Sequence, residues 1–167
     1  MSFKTRVPAL LILLSITTGL LWESKAIANA ALSVQGGGTS ILTGGGPGTI
    51  PIITKLGIHF ENGSGHFDCL ALAPTPPAGT QGSGIFDNNI MYVTGPITGA
   101  TIQGNTATLT GTATVTGVGA GTNAPFAVTA DRGGPGTKVV LVVYGVTFVE
   151  TLLEGSITFP GGESPAQ

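Results

Sequence analysis

Both histidines of this 167-residue chain fall within the twelve residues from Ile58 to Cys69. At the centre of that stretch, Asn62, Gly63 and Ser64 have the composition of a tight hairpin turn, because asparagine and glycine accept the positive φ such turns require. A two-residue loop, on Asn62-Gly63 or on Gly63-Ser64, gives cross-strand partners whose numbers sum to an odd value. Either register therefore puts His59, Glu61, His66 and Asp68 on one face of the hairpin. Two imidazoles and two carboxylates, with facing Cβ atoms about 5 Å apart, are ligands that zinc or copper would accept. A solvated outer face accounts for the same residues, since a chain with only 8% charged residues must place its few charges in water. The opposite face carries Ile58, Phe60, Phe67 and Cys69 and is expected to turn to the core. Cys69 is the only cysteine, so it has no intrachain partner and is expected as a buried thiol.

A second pattern runs from Thr106 to Gly117. Thr106, Thr108, Thr110, Thr112, Thr114 and Thr116 alternate with Ala107, Leu109, Gly111, Ala113, Val115 and Gly117, which in a strand segregates hydroxyls from small apolar groups. Hydroxyls spaced at about 7 Å could order water against an ice lattice or meet a carbohydrate surface. An exposed strand rich in β-branched residues explains the ladder without any ligand. Other candidates are less specific. Glu150 and Glu154 are the best available carboxylate pair for glycosidic chemistry, but nothing in the sequence aims them at a cleft. Asp87, Asn88 and Asn89 offer oxygen ligands without the spaced loop of a calcium site. Gly82-Ser83-Gly84 lacks the strand–turn–helix setting of a nucleophile elbow, and Asn62-Gly63-Ser64 is a glycosylation acceptor on a turn. No enzyme class and no cofactor is indicated.

The elements that would position these residues are strands. From Ile50 onward the apolar period is two, with expected strands at 50–60, 66–72, 90–94, 100–103, 106–117, 126–130, 138–149 and 152–159. Gly95-Pro96, Gly104-Asn105 and the run Asp131 to Gly136 punctuate them, and Gly145 and Glu154-Gly155 are candidate bends or bulges. Seven or eight short strands separated by turn signals predict an all-β fold, an antiparallel sandwich or a small barrel. Before them, Gly36 to Gly48 holds seven glycines in thirteen residues and reads as a flexible arm over residues 31–49.

The N-terminus has the three parts of a cleavable export signal: Lys4 and Arg6, a 15-residue apolar run from Val7 to Leu21, and the small residues of Ala28-Asn29-Ala30. That run is shorter than the roughly 20 residues of a membrane-spanning helix. Cleavage after Ala30 would leave Lys55, Arg132 and Lys138 against seven acids, and even the intact chain has a net charge of −2. A nucleic-acid partner is therefore not expected, nor is a membrane span in the mature chain. The expected layout is a signal at 1–30, the arm at 31–49, a β-domain at 50–159 and a polar tail at 160–167. An outer-membrane barrel is disfavoured, because the mature chain has too few aromatic residues for interfacial girdles.

The order Gly65-His66-Phe67, then Val93 to Ile97, then Gly104 to Gly111, then Asp131-x-Gly133-x-Pro135-Gly136 is similar to that of a group of uncharacterised bacterial exported all-β proteins. The resemblance spans residues 50–159 and implies an exported β-domain; it carries no site residue. Together these features lead to the expectation of a secreted, non-catalytic β-domain that binds or scaffolds at the cell surface or beyond it. The alternative is a metal or small-ligand binder using the His59/His66 hairpin.

Overall fold

The computed structural model describes residues 32–46, 50–75 and 85–160. The expected signal at 1–30, and the tail beyond Pro160, lie outside the described residues. Eight strands follow one another: β1 (Ser33–Leu42), β2 (Ile53–Glu61), β3 (Ser64–Thr75), β4 (Ile85–Gln103), β5 (Thr106–Gly117), β6 (Gly121–Asp131), β7 (Lys138–Val143) and β8 (Val146–Thr158). Each pairs antiparallel with the next, and β1 pairs with β8, so the sheet closes into a barrel. Of the two expected all-β architectures, the chain forms the small barrel.

Side-chain alternation explains what the barrel encloses. Val34 on β1, Ile58 and Phe60 on β2, Phe67 and Cys69 on β3, Leu109 and Val115 on β5, Phe126 and Val128 on β6, Leu141 and Val143 on β7 and Ile157 on β8 are all buried. The rings of Phe67 and Phe126 stack with centroids 5.3 Å apart across this core. The intervening outward positions carry Lys55, His59, Glu61, His66 and the exposed threonines of β5. An apolar interior inside a polar outer surface is the reverse of an outer-membrane barrel, whose apolar band faces lipid.

The hairpin register is the first of the two expected, with the loop on Asn62-Gly63. His59 faces His66 and Glu61 faces Ser64, with Asn62 and Gly63 in the turn at φ 53° and 86°. β5 likewise matches its expected range. Most other boundaries moved, two of them by joining or splitting expected strands. The expected strands at 90–94 and 100–103 are parts of one long β4, irregular between Ile97 and Gly99. The expected strand at 138–149 breaks at Tyr144-Gly145, which form the turn between β7 and β8 at φ 51° and 77°. An aromatic residue rarely takes positive φ, so no turn signal preceded Gly145. The bend expected at Glu154-Gly155 is a bulge: Thr39 faces Glu154 while Ser40 faces Leu152, leaving Leu153 unpaired.

The flexible arm expected at 31–49 requires the main correction. Residues 33–42 form β1, the strand that closes the barrel. Its glycines serve close approach between backbones. Gly36, Gly37 and Gly38 lie at φ 150°, 152° and 153°, and a Cβ at Gly37 or Gly38 would sit 2.3 Å from the Leu56 carbonyl oxygen or 1.9 Å from that of Glu154. Only glycine is accommodated there.

The two ends of the barrel differ. At the end where the chain enters β1 and leaves β8, Phe60, Ile97, Ala107, Ala130, Val139 and Phe159 fill the interior. The loop from Arg132 to Thr137 folds over this end, bridging Gly133 to Ile157 and setting the Arg132 guanidinium 4.8 Å above the Phe159 ring. The other end is less full.

Candidate functional site

A pocket of about 290 Å³ enters the barrel at that other end. Leu42, Ile52, Ala71, Met91, Val118 and Phe148 supply its apolar wall, while Thr54, Cys69 and Glu150 line it with polar atoms. It opens beside Val118, which is 70% exposed. Apolar side chains rim this end of the molecule: Ile50, Ile85, Tyr144 and Val146 are exposed along with Val118.

Period-two alternation places the polar residues inside. Thr54 occupies the inward row of β2 between Ile52 and Leu56, and Glu150 the inward row of β8 between Phe148 and Leu152. Ser40 faces Thr54 directly across the β1–β2 pair, and Glu150 lies on the strand at the far side of β1. Glu150 is only 2% exposed, and Ser40 and Thr54 are equally hidden. The Ser40 hydroxyl donates to Glu150 Oε2 at 2.5 Å, and the Thr54 hydroxyl donates to the same oxygen. Ser40 Oγ and Thr54 Oγ1 are also within hydrogen-bond reach of each other. From β3, Cys69 Sγ approaches Glu150 Oε1 at 3.9 Å, a weak donor contact.

Burial pushes the Glu150 carboxyl above the usual carboxylate range, against the opposing pull of the Ser40, Thr54 and Cys69 hydrogen bonds. Burial, and then the Glu150 charge, push the Cys69 thiol well above its ordinary value. The thiol is therefore a hydrogen-bond donor and not a nucleophile. A carboxyl with a raised pKa in an apolar, partly open pocket is a physically motivated site candidate.

The hairpin residues named by the sequence sit elsewhere, on the outer surface. His66 Nε2 lies 3.5 Å from Asp68 Oδ1 and 2.9 Å from the Thr94 hydroxyl. Asp68 Oδ1 also accepts from the Tyr92 hydroxyl at 2.6 Å and from Thr94 at 2.7 Å. Burial alone would raise the Asp68 pKa, but these hydroxyls and the His66 ring together bring it below the ordinary value. His59 faces His66 in the strand register, and Glu61, facing Ser64, is two pairs nearer the turn. Among the described residues, no three His, Cys, Asp or Glu side chains group so as to hold a metal ion. Asp68 is instead committed to its Tyr92 and Thr94 neighbours.

Glu150 and Glu154 do not form a catalytic pair. Glu150 points into the barrel, whereas Glu154 is outside the wall, past the bulge, and accepts a hydrogen bond from Thr39 at 2.5 Å. Asp87, Asn88 and Asn89 are exposed on β4, and Gly82-Ser83-Gly84 lies outside the described residues. The outward threonines of β5 are flanked by Thr94 and Thr101 on β4 and Thr129 on β6. Successive strands of an eight-stranded barrel turn by about 45°, so these rows wrap around a curve and do not form a flat lattice.

Ser40 and Thr54 were missed as site residues. Ser40 was hidden inside the presumed glycine arm; Thr54 and Glu150 had a readable signal, a polar residue in an otherwise apolar inward row. No family model, curated protein or solved structure matches this chain.

Proposed function

We propose that this protein is a non-catalytic binding barrel for a small, predominantly apolar ligand, acting outside the cytoplasm if residues 1–30 direct export as their layout suggests. The observation that carries this reading is the pocket: an apolar wall at one end of a closed barrel whose other end is filled. Ligand sites are commonly concave and apolar with a few placed polar groups, and the mouths of β-barrels are a preferred location. Its volume of about 290 Å³ sits near the lower limit of the usual range of roughly 300–1,000 Å³. The exposed Val118 at the edge of the pocket supports the same reading, because it adds apolar surface where a ligand would enter. A shallower depression of about 330 Å³ on the outer surface is lined by His66 with Thr94, Pro96 and Thr112, but it lacks the apolar wall of the barrel mouth, so the small-ligand alternative moves from His59 and His66 to the barrel mouth.

Binding of N-phenyl-1-naphthylamine, a neutral fluorophore that brightens in apolar surroundings, tests the reading. We expect saturable binding at one site per chain. Ala71→Phe, which adds bulk from the pocket wall, should abolish the signal while the circular dichroism spectrum stays that of the native barrel. Saturable binding unaffected by Ala71→Phe, or no binding at all, would overturn the proposal.

A further inference from the structure

The polar lining also restricts which apolar molecule fits, an inference that rests on the pocket reading above. Glu150 is surrounded by side chains that can donate to it. Ser40 and Thr54 direct hydroxyls at Oε2, and Cys69 directs its thiol at Oε1. Hydroxyl and thiol groups able to donate at both oxygens can serve a carboxylate, which accepts at each. Its counter-charge is missing: among the described residues no Lys, Arg or His forms an ion pair with Glu150, and the one such contact is His66 with Asp68 on the outer surface. Lys55 is exposed on the outside of β2, Lys138 is exposed at the far end of β7, and Arg132 is stacked on Phe159 at the filled end. A buried carboxyl without a cation is costly to ionise, and a ligand that brings the cation offsets part of that cost.

The two oxygens are not equally occupied. Oε2 takes two hydroxyl donors, whereas Oε1 has only the long thiol contact, so Oε1 has acceptor capacity to spare. Phe148 is part of the same wall, and an aromatic ring near a desolvated cation adds further attraction. We infer that the pocket selects a lipophilic amine, with its ammonium group at Glu150 Oε1 and its hydrocarbon body against Leu42, Ile52, Met91 and Phe148.

Calorimetric titration of the native chain at pH 7.5 with hexylamine, hexan-1-ol and hexanoate separates the possibilities, since the three share one apolar body. We expect hexylamine to bind at least tenfold more tightly than hexan-1-ol, with hexanoate weakest because it brings a second negative charge. Glu150→Gln, which keeps the shape and removes the charge, should reduce hexylamine affinity at least tenfold and leave hexan-1-ol within threefold. If hexan-1-ol binds as well as hexylamine, the amine inference fails while the apolar pocket stands. If none of the three binds, both fail. Should Glu150→Gln not fold, the ranking of the three probes on the native chain still decides the matter.

Discussion

Two carboxylates in this barrel respond to pH in opposite directions. Glu150 has its folded-state pKa raised, mainly by burial, so the native state holds its proton more tightly than the unfolded chain does. Its favourable contribution is therefore present at low pH and is lost as pH rises through the folded-state value. Asp68 has its pKa lowered, because hydrogen bonds from Tyr92 and Thr94 and the His66 ring outweigh its partial burial. Its contribution is present near neutrality and fades as pH falls through its folded-state value. We expect Glu150→Gln to be more stabilising, or less destabilising, at pH 8 than at pH 4.5. Each tenfold difference in proton affinity between folded and unfolded states adds about 1.4 kcal/mol to that gap. Thermal melting across this range checks it, and a gap of the opposite sign would show that Glu150 is favourably ionised in the fold. Cys69, 1% exposed with its thiol pushed well above its ordinary pKa, should resist a thiol reagent in the native state and react at once in denaturant. Labelling at the same rate under both conditions would place the thiol outside the barrel.

At the level of elements, legibility in the sequence tracked side-chain information. The Asn62-Gly63 hairpin and the alternation of β5 were readable because each position declares its face or its turn. The inward placement of Ile58, Phe60, Phe67, Leu109, Val115, Leu141 and Val143 was readable for the same reason. By contrast, β1 was not. Glycine has no side chain to show alternation, and a run of it suggests an unstructured chain until the neighbouring backbones are seen. The site was only half legible for the same reason, since its closure depends on a strand read as an arm. The correction has a measurable consequence. Gly38→Ala should destabilise the barrel by about 1–3 kcal/mol from backbone strain alone, and by more once the clash with the Glu154 carbonyl is added. Gly57→Ala is the matched control: Gly57 faces Gly37 across the β1–β2 pair but has open space around its Cβ position. It should be neutral or stabilising by up to about 1 kcal/mol, because glycine costs entropy within a strand. Urea denaturation of the two variants compares them directly, and equal effects would contradict the close packing assigned to β1.

Closure is what unites these features at the scale of the whole molecule. With every strand paired on both sides the barrel has no free edge, and its apolar interior can shelter a polar cluster drawn from β1, β2, β3 and β8. β1 contributes to all of it, as the partner of β2 and of β8 and as the source of Ser40. A chain beginning at Ile50 would retain seven strands and the whole stretch of clear alternation, which on a linker reading of residues 31–49 should suffice. The barrel geometry predicts the reverse. Removing β1 exposes the facing edges of β2 and β8, uncovers Ile58, Phe60 and Ile157, and leaves Glu150 without one of its two hydroxyl donors. Exposed edges of this kind template association between chains. We therefore expect the shortened chain to lose its cooperative thermal transition and to elute as aggregate in size-exclusion chromatography, while a chain beginning at Ala31 remains a sharply melting species. A monomer that begins at Ile50 and melts as sharply as the longer form would show that β1 is an appendage, and that the barrel does not depend on being closed.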